Sequence, residues 1–233
     1  MYTLHIGNKN YSSWSLRPWV LLTELGIPFH ERMHVFGPGF NPKGEGFSPT
    51  GKVPCLQDGD YTVWDSLAIA EYLAERRPGV WPADSPARAW ARSAAAEMHS
   101  SFGALREICS MNVGVRIHLH SIPEALQRDI ARLVELWNDG FKRFGGPFLA
   151  GKSFGAVDAF FCPVAFRAQT YGLALPPAAV QYVERLLALD SMKKWHDAAL
   201  KEPWRDADHE KEIPRFGRLV RELRVSPAAA TPA

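Results

Sequence analysis

Up to residue 80, short runs of alternating apolar and polar residues are interleaved with longer runs at helical spacing. The alternation is typical of half-buried strands, and apolar residues three and four apart are typical of amphipathic helices. The strand patterns cover residues 2–6, 29–35, 53–57 and 62–64, and the helix patterns cover 16–25 and 66–77. Asp58-Gly59-Asp60 joins the last two strand patterns as a hairpin turn. The sequence therefore predicts one α/β domain that closes near residue 80.

Beyond residue 80 the strand patterns stop and helical spacing continues. Ser85 is predicted as an N-cap with Pro86 in the first turn, and Ser121 with Glu124 forms a capping-box sequence. Further helix patterns cover residues 158–170, 178–189 and 191–200. We expect a thioredoxin-like N-terminal domain over residues 1–80, an all-helical C-terminal domain over residues 86–224, and a disordered tail over residues 225–233.

Composition narrows the function classes. The chain has 233 residues with 46% hydrophobic content, which is enough for a sizeable globular core. A net charge of +2 gives no electrostatic footprint for nucleic acid or an anionic membrane. Cys55, Cys109 and Cys162 lack metal-site spacing, and His118 with His120 is only weak evidence for a metal. We expect free, buried thiols, a cytoplasmic location, no metal and no membrane segment.

Two motifs suggest a site for a small peptide. An X-Pro bond before a strand, as in Val53-Pro54 after Lys52, is a place for a cis peptide that turns backbone polar groups toward a ligand. Asp65-Ser66 starts a helix pattern and offers a carboxylate, a hydroxyl and free N–H groups. Each motif alone is also explained by an ordinary strand-entry turn or helix cap. Together they complement a ligand that has both an amine and a carboxylate.

Hydroxyl groups cluster before the first helix pattern. Pro18 is best tolerated in the first helical turn, which makes Ser15 the predicted N-cap. Ser12 and Ser13 are then free to face a ligand and to stabilise a thiolate. The phenol of Tyr11 is a competing donor, and plain helix capping is the alternative role for the serines.

The Val-Pro turn and the acidic-Ser pair resemble the glutathione site of the cytosolic glutathione S-transferases. The resemblance implies that glutathione is the co-substrate and that the backbone of Lys52 and Val53, beside Pro54, aligns its cysteinyl part. It also implies that Asp65 and Ser66 hold the γ-glutamyl end.

The pattern Ser-Ser-x-Ser-x-Arg over residues 12–17 resembles the zeta-type, serine-dependent members of that family. This implies that Ser12 is the catalytic hydroxyl and Ser13 its helper, and Arg17 matches the family arginine. Trp14 stands where zeta proteins have Cys, so isomerase chemistry specific to that class is not implied.

The resemblance extends over residues 2–205. Residues 148–151 and Asp158 are similar to the helix-capping motif of the family, although Gly155 replaces the usual Ser or Thr. The Tyr182–Trp195 stretch is similar to the closing helices of the family.

The implied function is conjugation of the glutathione thiolate to small apolar electrophiles, a detoxification chemistry, with isomerisation or peroxide reduction as further reactions. A homodimer is implied by the resemblance alone. The electrophile pocket is expected between the domains, with Tyr11, Trp14, Met98 and Phe102 among its candidate residues. The alternative is a non-catalytic protein of the same fold that binds a ligand or a partner chain.

Overall fold

A computed structural model describes residues 1–226 of the chain. The first six elements form a four-stranded sheet with two helices. They are β1 Tyr2–Gly7, α1 Ser13–Glu24, β2 Phe29–His34, β3 Cys55–Asp58, β4 Tyr61–Trp64 and α2 Ser66–Ala74. The strand order is β2-β1-β3-β4, with β1 parallel to β2 and antiparallel to β3. This confirms the predicted thioredoxin-like domain.

The remaining elements are seven helices and two strands. They are α3 Ser85–Ser100, α4 Gly103–Ile108, β5 Val115–Leu119, α5 Glu124–Phe144, α6 Ala156–Tyr171, α7 Pro177–Ala188, α8 Asp190–Leu200, α9 Ala207–Phe216 and β6 Gly217–Glu222. Helix α6 is buried along almost its whole length and packs against α1, α3 and α7. It therefore joins the core of the sheet domain to the core of the helical region.

The helical region contains a small antiparallel sheet that the all-helical prediction omits. Strand β5 pairs with β6, and Val115 lies opposite Glu222 across about a hundred residues of chain. Most residues of β6 are exposed, so the strand lacks the apolar alternation by which β1 is recognised.

The N-caps of three helices differ from those predicted. Ser12, not Ser15, is the N-cap of α1, and Pro18 lies inside that helix. Asp84, not Ser85, caps α3 because its carboxylate accepts a hydrogen bond from the Ala87 N–H at 2.9 Å. Helix α5 begins at Glu124 after Pro123, so the predicted capping box at Ser121 does not form.

Asp158 connects the start of α6 to neighbouring segments through hydrogen bonds. Its carboxylate accepts hydrogen bonds from the N–H groups of Leu149 at 3.0 Å and Gly155 at 3.1 Å, and from the Tyr182 hydroxyl at 2.8 Å. Burial raises the pKa of Asp158 to about 6. A Cβ at Gly155 would lie 3.2 Å from the Val80 carbonyl oxygen, which explains why a small residue replaces the Ser or Thr of the family motif.

The start of the predicted tail is ordered in the structure. Val225 donates its N–H to the Leu200 carbonyl at 2.9 Å and accepts a hydrogen bond from Arg205 at 2.5 Å, so the prediction of disorder from residue 225 is wrong at that position. Residues 227–233 of that prediction lie outside the described residues. Among residues 1–226, no helix has the length and hydropathy needed to cross a membrane.

Candidate functional site

A cleft between the Val-Pro turn and the start of α2 brings the predicted peptide-binding residues together. We call this the first cleft; it has a volume of about 470 Å³. Its lining residues are Trp14, Thr50, Lys52, Val53, Pro54, Trp64, Asp65 and Ser66. The Val53-Pro54 bond is cis, as the sequence predicted.

Asp65 has an unusual backbone conformation at the rim of the first cleft. Its φ of 74° lies in the left-handed region, which is uncommon for a residue other than glycine and is frequent at functional sites. Its carboxylate caps α2 by accepting the Leu67 N–H at 2.7 Å and lies 3.3 Å from Nε2 of His99. Burial lowers the pKa of His99, and Asp65 opposes that shift. Asp65 is therefore held with its carboxylate at the cleft edge.

Arg17 supports Ser66 from behind the first cleft. The guanidinium donates to the Ser66 hydroxyl at 3.3 Å and to the Met98 carbonyl at 3.4 Å. It is packed between the rings of Trp14 and Phe160, at 4.2 and 4.7 Å from their centroids. Burial lowers the pKa of Arg17 well below its usual range. The positive charge thus lies next to the hydroxyl that faces the cleft.

A second cleft adjoins the first and shares Trp14, Lys52 and Val53 with it. Its volume is about 440 Å³. The other lining residues are Tyr11, Ser12, Ser13, Phe36, Phe40, Gly51, Arg106, Ser110, Met111, Arg167, His209 and Glu212. Tyr11, Ser12 and Ser13, three of the predicted site residues, therefore line the second cleft, and Trp14 lies where the two clefts meet.

The two serines have different hydrogen bonds. Ser12 donates to the Ser15 hydroxyl at 2.7 Å, and Ser15 accepts the Gly7 N–H at 3.2 Å. Ser12 lines the second cleft, but its hydroxyl proton is directed to Ser15, so its predicted role toward a ligand stays a prediction. Ser13 instead accepts a hydrogen bond from Arg167 at 3.3 Å, which leaves its own proton available to an acceptor in the cleft.

Tyr11 is engaged by the C-terminal part of the chain. Its hydroxyl donates to Glu210 at 2.8 Å and accepts from Arg224 at 3.0 Å, and its ring stacks on His209. Burial, followed by the Glu210 charge, raises the pKa of Tyr11. The Tyr11 proton is therefore already donated to Glu210, so this phenol is not free to donate to a thiolate.

Two predicted pocket residues belong to the core. Met98 and Phe102 are buried, and neither contributes to the lining of the two clefts. Cys55 is also a core residue: its thiol donates to the Phe47 carbonyl, and burial raises its pKa to about 11. Sequence reasoning missed Arg106 and Arg167, because arginine on a helix usually lies in solvent.

The last helix forms part of the wall of the second cleft, and Arg224 holds that helix in place. Arg224 is almost fully buried and forms ion pairs with Glu210 and Glu222, each at 2.7 Å. Glu210 belongs to α9, which also places His209 and Glu212 on the cleft wall. Among the described residues, no cluster of three or more His, Cys, Asp or Glu side chains is arranged to hold a metal ion.

Arg224→Met is expected to lower the free energy of unfolding by about 3 kcal/mol, because it leaves two partly buried carboxylates without their cation. Urea denaturation measures this loss. Amide hydrogen exchange should show faster opening of β6 than of β1. Arg221→Gln, an exposed change on the same strand, is the control. Unchanged stability in Arg224→Met would contradict the role of this ion-pair cluster.

The fold and the two clefts define a class of protein. A thioredoxin-like domain has a Val-Pro turn and an Asp-Ser helix start that face one cleft, and the helical region that follows contributes to the wall of an adjoining second cleft. Residues 11–76 match the family described as "Glutathione S-transferase, N-terminal domain". A zeta-class glutathione S-transferase from Euphorbia esula is 29% identical, with 65% of this chain and 70% of that protein covered.

Structural and partial matches agree with that family. A glutathione transferase homologue from Burkholderia, solved with bound glutathione, is 28% identical with a TM-score of 0.63, and the match covers 85% of this chain and 97% of that one. Dichloromethane dehalogenases from Methylorubrum extorquens and Methylophilus leisingeri are 39% and 56% identical, but the matches span only 20% and 22% of their lengths. The chain is thus similar to glutathione S-transferases in its N-terminal sequence and in its fold.

Proposed function

We propose that this chain is a glutathione S-transferase that uses glutathione as co-substrate and attacks an electrophile held in the second cleft. The observation that supports this most strongly is that the two clefts meet at Trp14, Lys52 and Val53, with Ser13 on the wall of the second cleft next to Trp14. A peptide thiol in the first cleft would reach that junction, where an electrophile in the second cleft would meet it. The bound glutathione of the Burkholderia homologue supports the choice of peptide.

The first cleft supplies groups for each end of glutathione. The backbone of Lys52 and Val53, next to Pro54, pairs with the cysteinyl part of the peptide. The carboxylate of Asp65 attracts the γ-glutamyl ammonium group, and Ser66 donates to its carboxylate. Arg17 lies behind Ser66 and favours a negative charge at that position.

Ser13 is the better thiolate donor of the two serines. Its hydroxyl accepts a hydrogen bond from Arg167 and retains its proton, whereas the Ser12 proton is directed to Ser15. Lowering a thiol pKa by about two units requires roughly 2.7 kcal/mol of preference for the thiolate. A hydrogen bond to a charged group contributes about 1.5–3 kcal/mol, and the start of a helix about 0.3–1 kcal/mol more. Ser13 at the start of α1 provides both contributions.

The proposed reaction is a substitution or addition at carbon. The thiol proton leaves to solvent, and the sulfur forms a bond with the electrophilic carbon. In a substitution the leaving group departs with its electron pair; in an addition the π electron pair moves to the neighbouring atom, which takes a proton from solvent. Isomerisation and peroxide reduction use the same thiolate. A cytoplasmic location, a homodimeric assembly and a role in detoxification belong to this proposal as well.

Calorimetric titration with glutathione in two buffers of different ionisation enthalpy tests the function. We expect binding accompanied by proton release near neutral pH, because the site stabilises the thiolate. Binding without proton release and without turnover of any electrophile would favour the alternative, a non-catalytic binding protein. An absence of binding would overturn the proposal.

A further inference from the structure

Two arginines bring unpaired positive charge to the second cleft. Arg167 is 4% exposed and donates to the Cys109 and Arg106 carbonyls and to Ser13, while its Nε has no hydrogen-bond partner in the described structure. Arg106 donates to the carbonyls of Ser101, Met98 and His99. All of these acceptors are uncharged. Neither guanidinium forms an ion pair with any carboxylate of residues 1–226.

Arg224 is a buried arginine that, unlike Arg167, has carboxylate partners among the described residues. Its side chain is 2% exposed, and two carboxylates, those of Glu210 and Glu222, neutralise it. A buried charge normally needs such a partner, because removal from water is costly. Arg167 is buried to a similar degree but opens onto a cleft, where a ligand can supply the missing negative charge. Arg224, which has carboxylate partners, is therefore a structural group, whereas Arg167, which has none within residues 1–226 and faces the cleft, is a binding group.

The lining as a whole favours an anion with an apolar body. Lys52, Arg106 and Arg167 are opposed on the cleft wall by one carboxylate, that of Glu212. Glu212 also lacks a hydrogen-bond partner at its buried Oε2. Glu212 forms no ion pair with Arg167 among the described residues, although its charge opposes the lowering of the Arg167 pKa by burial. The cleft wall therefore still carries more cationic than anionic groups. The rest of the wall includes Phe36, Phe40 and Met111, which suit an apolar group.

We propose that the second cleft takes an electrophile that carries a carboxylate, held by Arg106 and Arg167 beside Ser13. This inference rests on the proposed function and names the substrate class of that same site. It replaces the purely apolar electrophile expected from the sequence. The planar guanidinium matches the two oxygens of a carboxylate, and the ring of Trp14 lies 4.7 Å from Arg106 and limits its orientation.

The test compares 4-chloro-3-nitrobenzoate with its neutral isostere 4-chloro-3-nitrobenzamide as conjugation substrates. Arg106→Gln is expected to raise the KM for the benzoate about tenfold relative to the benzamide, because a charged hydrogen bond is lost. Arg106→Lys should restore part of the preference for the benzoate, because lysine keeps the positive charge but lacks the two parallel N–H donors of the guanidinium. The measured quantity is the ratio of the KM for the benzoate to the KM for the benzamide. Comparing this ratio between wild type and variant cancels the difference in intrinsic reactivity between the two compounds.

Glu212→Gln should have the opposite effect. Removing the one opposing carboxylate is expected to lower the KM for the benzoate about threefold and to leave that for the benzamide unchanged. This variant does not depend on the carbonyl contacts that Arg106 makes in the fold. Arg128→Gln is the matched control, because it removes an exposed arginine paired with Glu124 on α5. It should leave the KM of the benzoate relative to the benzamide unchanged.

The outcomes separate this inference from the proposed function. Turnover of both compounds with the same ratio in wild type, Arg106→Gln and Glu212→Gln would overturn the carboxylate assignment and leave the transferase intact. If neither compound is turned over, calorimetric titration with 3-nitrobenzoate and 3-nitrobenzamide still tests the assignment. Preferential binding of the benzoate that Arg106→Gln abolishes supports it, and equal binding of the two compounds refutes it.

Discussion

Ser13→Ala is expected to lower kcat by about 10- to 100-fold while changing the affinity for glutathione by less than about threefold. The loss corresponds to one hydrogen bond to a charged sulfur, about 1.5–3 kcal/mol. That bond exists only when the thiol is ionised, so the effect falls on turnover rather than on peptide binding. The ultraviolet absorbance of bound thiolate as a function of pH gives the second readout, and its midpoint should move to higher pH in the variant.

Ser12→Ala tests which of the two serines donates to the thiolate. Its hydroxyl is directed to Ser15, so we expect a smaller loss of kcat than in Ser13→Ala. Ser93→Ala, an exposed serine that bonds only to the Ala89 carbonyl, controls for a generic effect of removing a hydroxyl. A larger loss in Ser12→Ala than in Ser13→Ala would reassign the thiolate donor to Ser12.

Asp158→Ala is expected to lower the free energy of unfolding by roughly 3–5 kcal/mol, which is a large part of the stability of an ordinary domain. The substitution leaves two N–H groups and the Tyr182 hydroxyl without their acceptor in a fully buried place. Urea denaturation followed by tryptophan fluorescence measures the change. Tyr182→Phe removes only one of the three donors and should cost much less. Equal losses in the two variants would contradict a central role for the carboxylate.

The same carboxyl group makes stability depend on pH. Its pKa is about 6 in the folded chain, against about 3.9 for an ordinary aspartate. Between these two values the folded state holds more protons than the unfolded state. The contribution of Asp158 to stability therefore falls as pH rises from about 4 to 6 and is constant above that. The difference in unfolding free energy between wild type and Asp158→Ala should narrow over that interval.

The N-terminal domain was predictable because its signals are local. Gly26 and Pro28 end a helix, Asp58-Gly59-Asp60 turns a hairpin, and Val53-Pro54 precedes a strand, each within a few residues. The start of α1 was predicted three residues late for a tertiary reason. The Gly7 N–H and the Ser12 hydroxyl both bond to Ser15, which removes its hydroxyl from capping.

The helical region and half of the candidate site depend on distant contacts. Strand β6 is defined by its pairing with β5, which lies about a hundred residues earlier, and its own residues are half charged and mostly exposed. Arg106 and Arg167 become neighbours of Ser13 only when α4 and α6 pack beside α1. A periodicity argument places arginine on the solvent side of a helix, so neither residue could be identified as part of a cleft.

Glu210, Glu212 and Arg224 follow every residue of the first cleft along the chain, so the two clefts depend in part on different stretches of sequence. A chain truncated after residue 205 would keep every residue that lines the first cleft and would lose His209 and Glu212 from the wall of the second. Fusion partners placed directly after Arg224 would therefore disturb substrate selection more than peptide affinity.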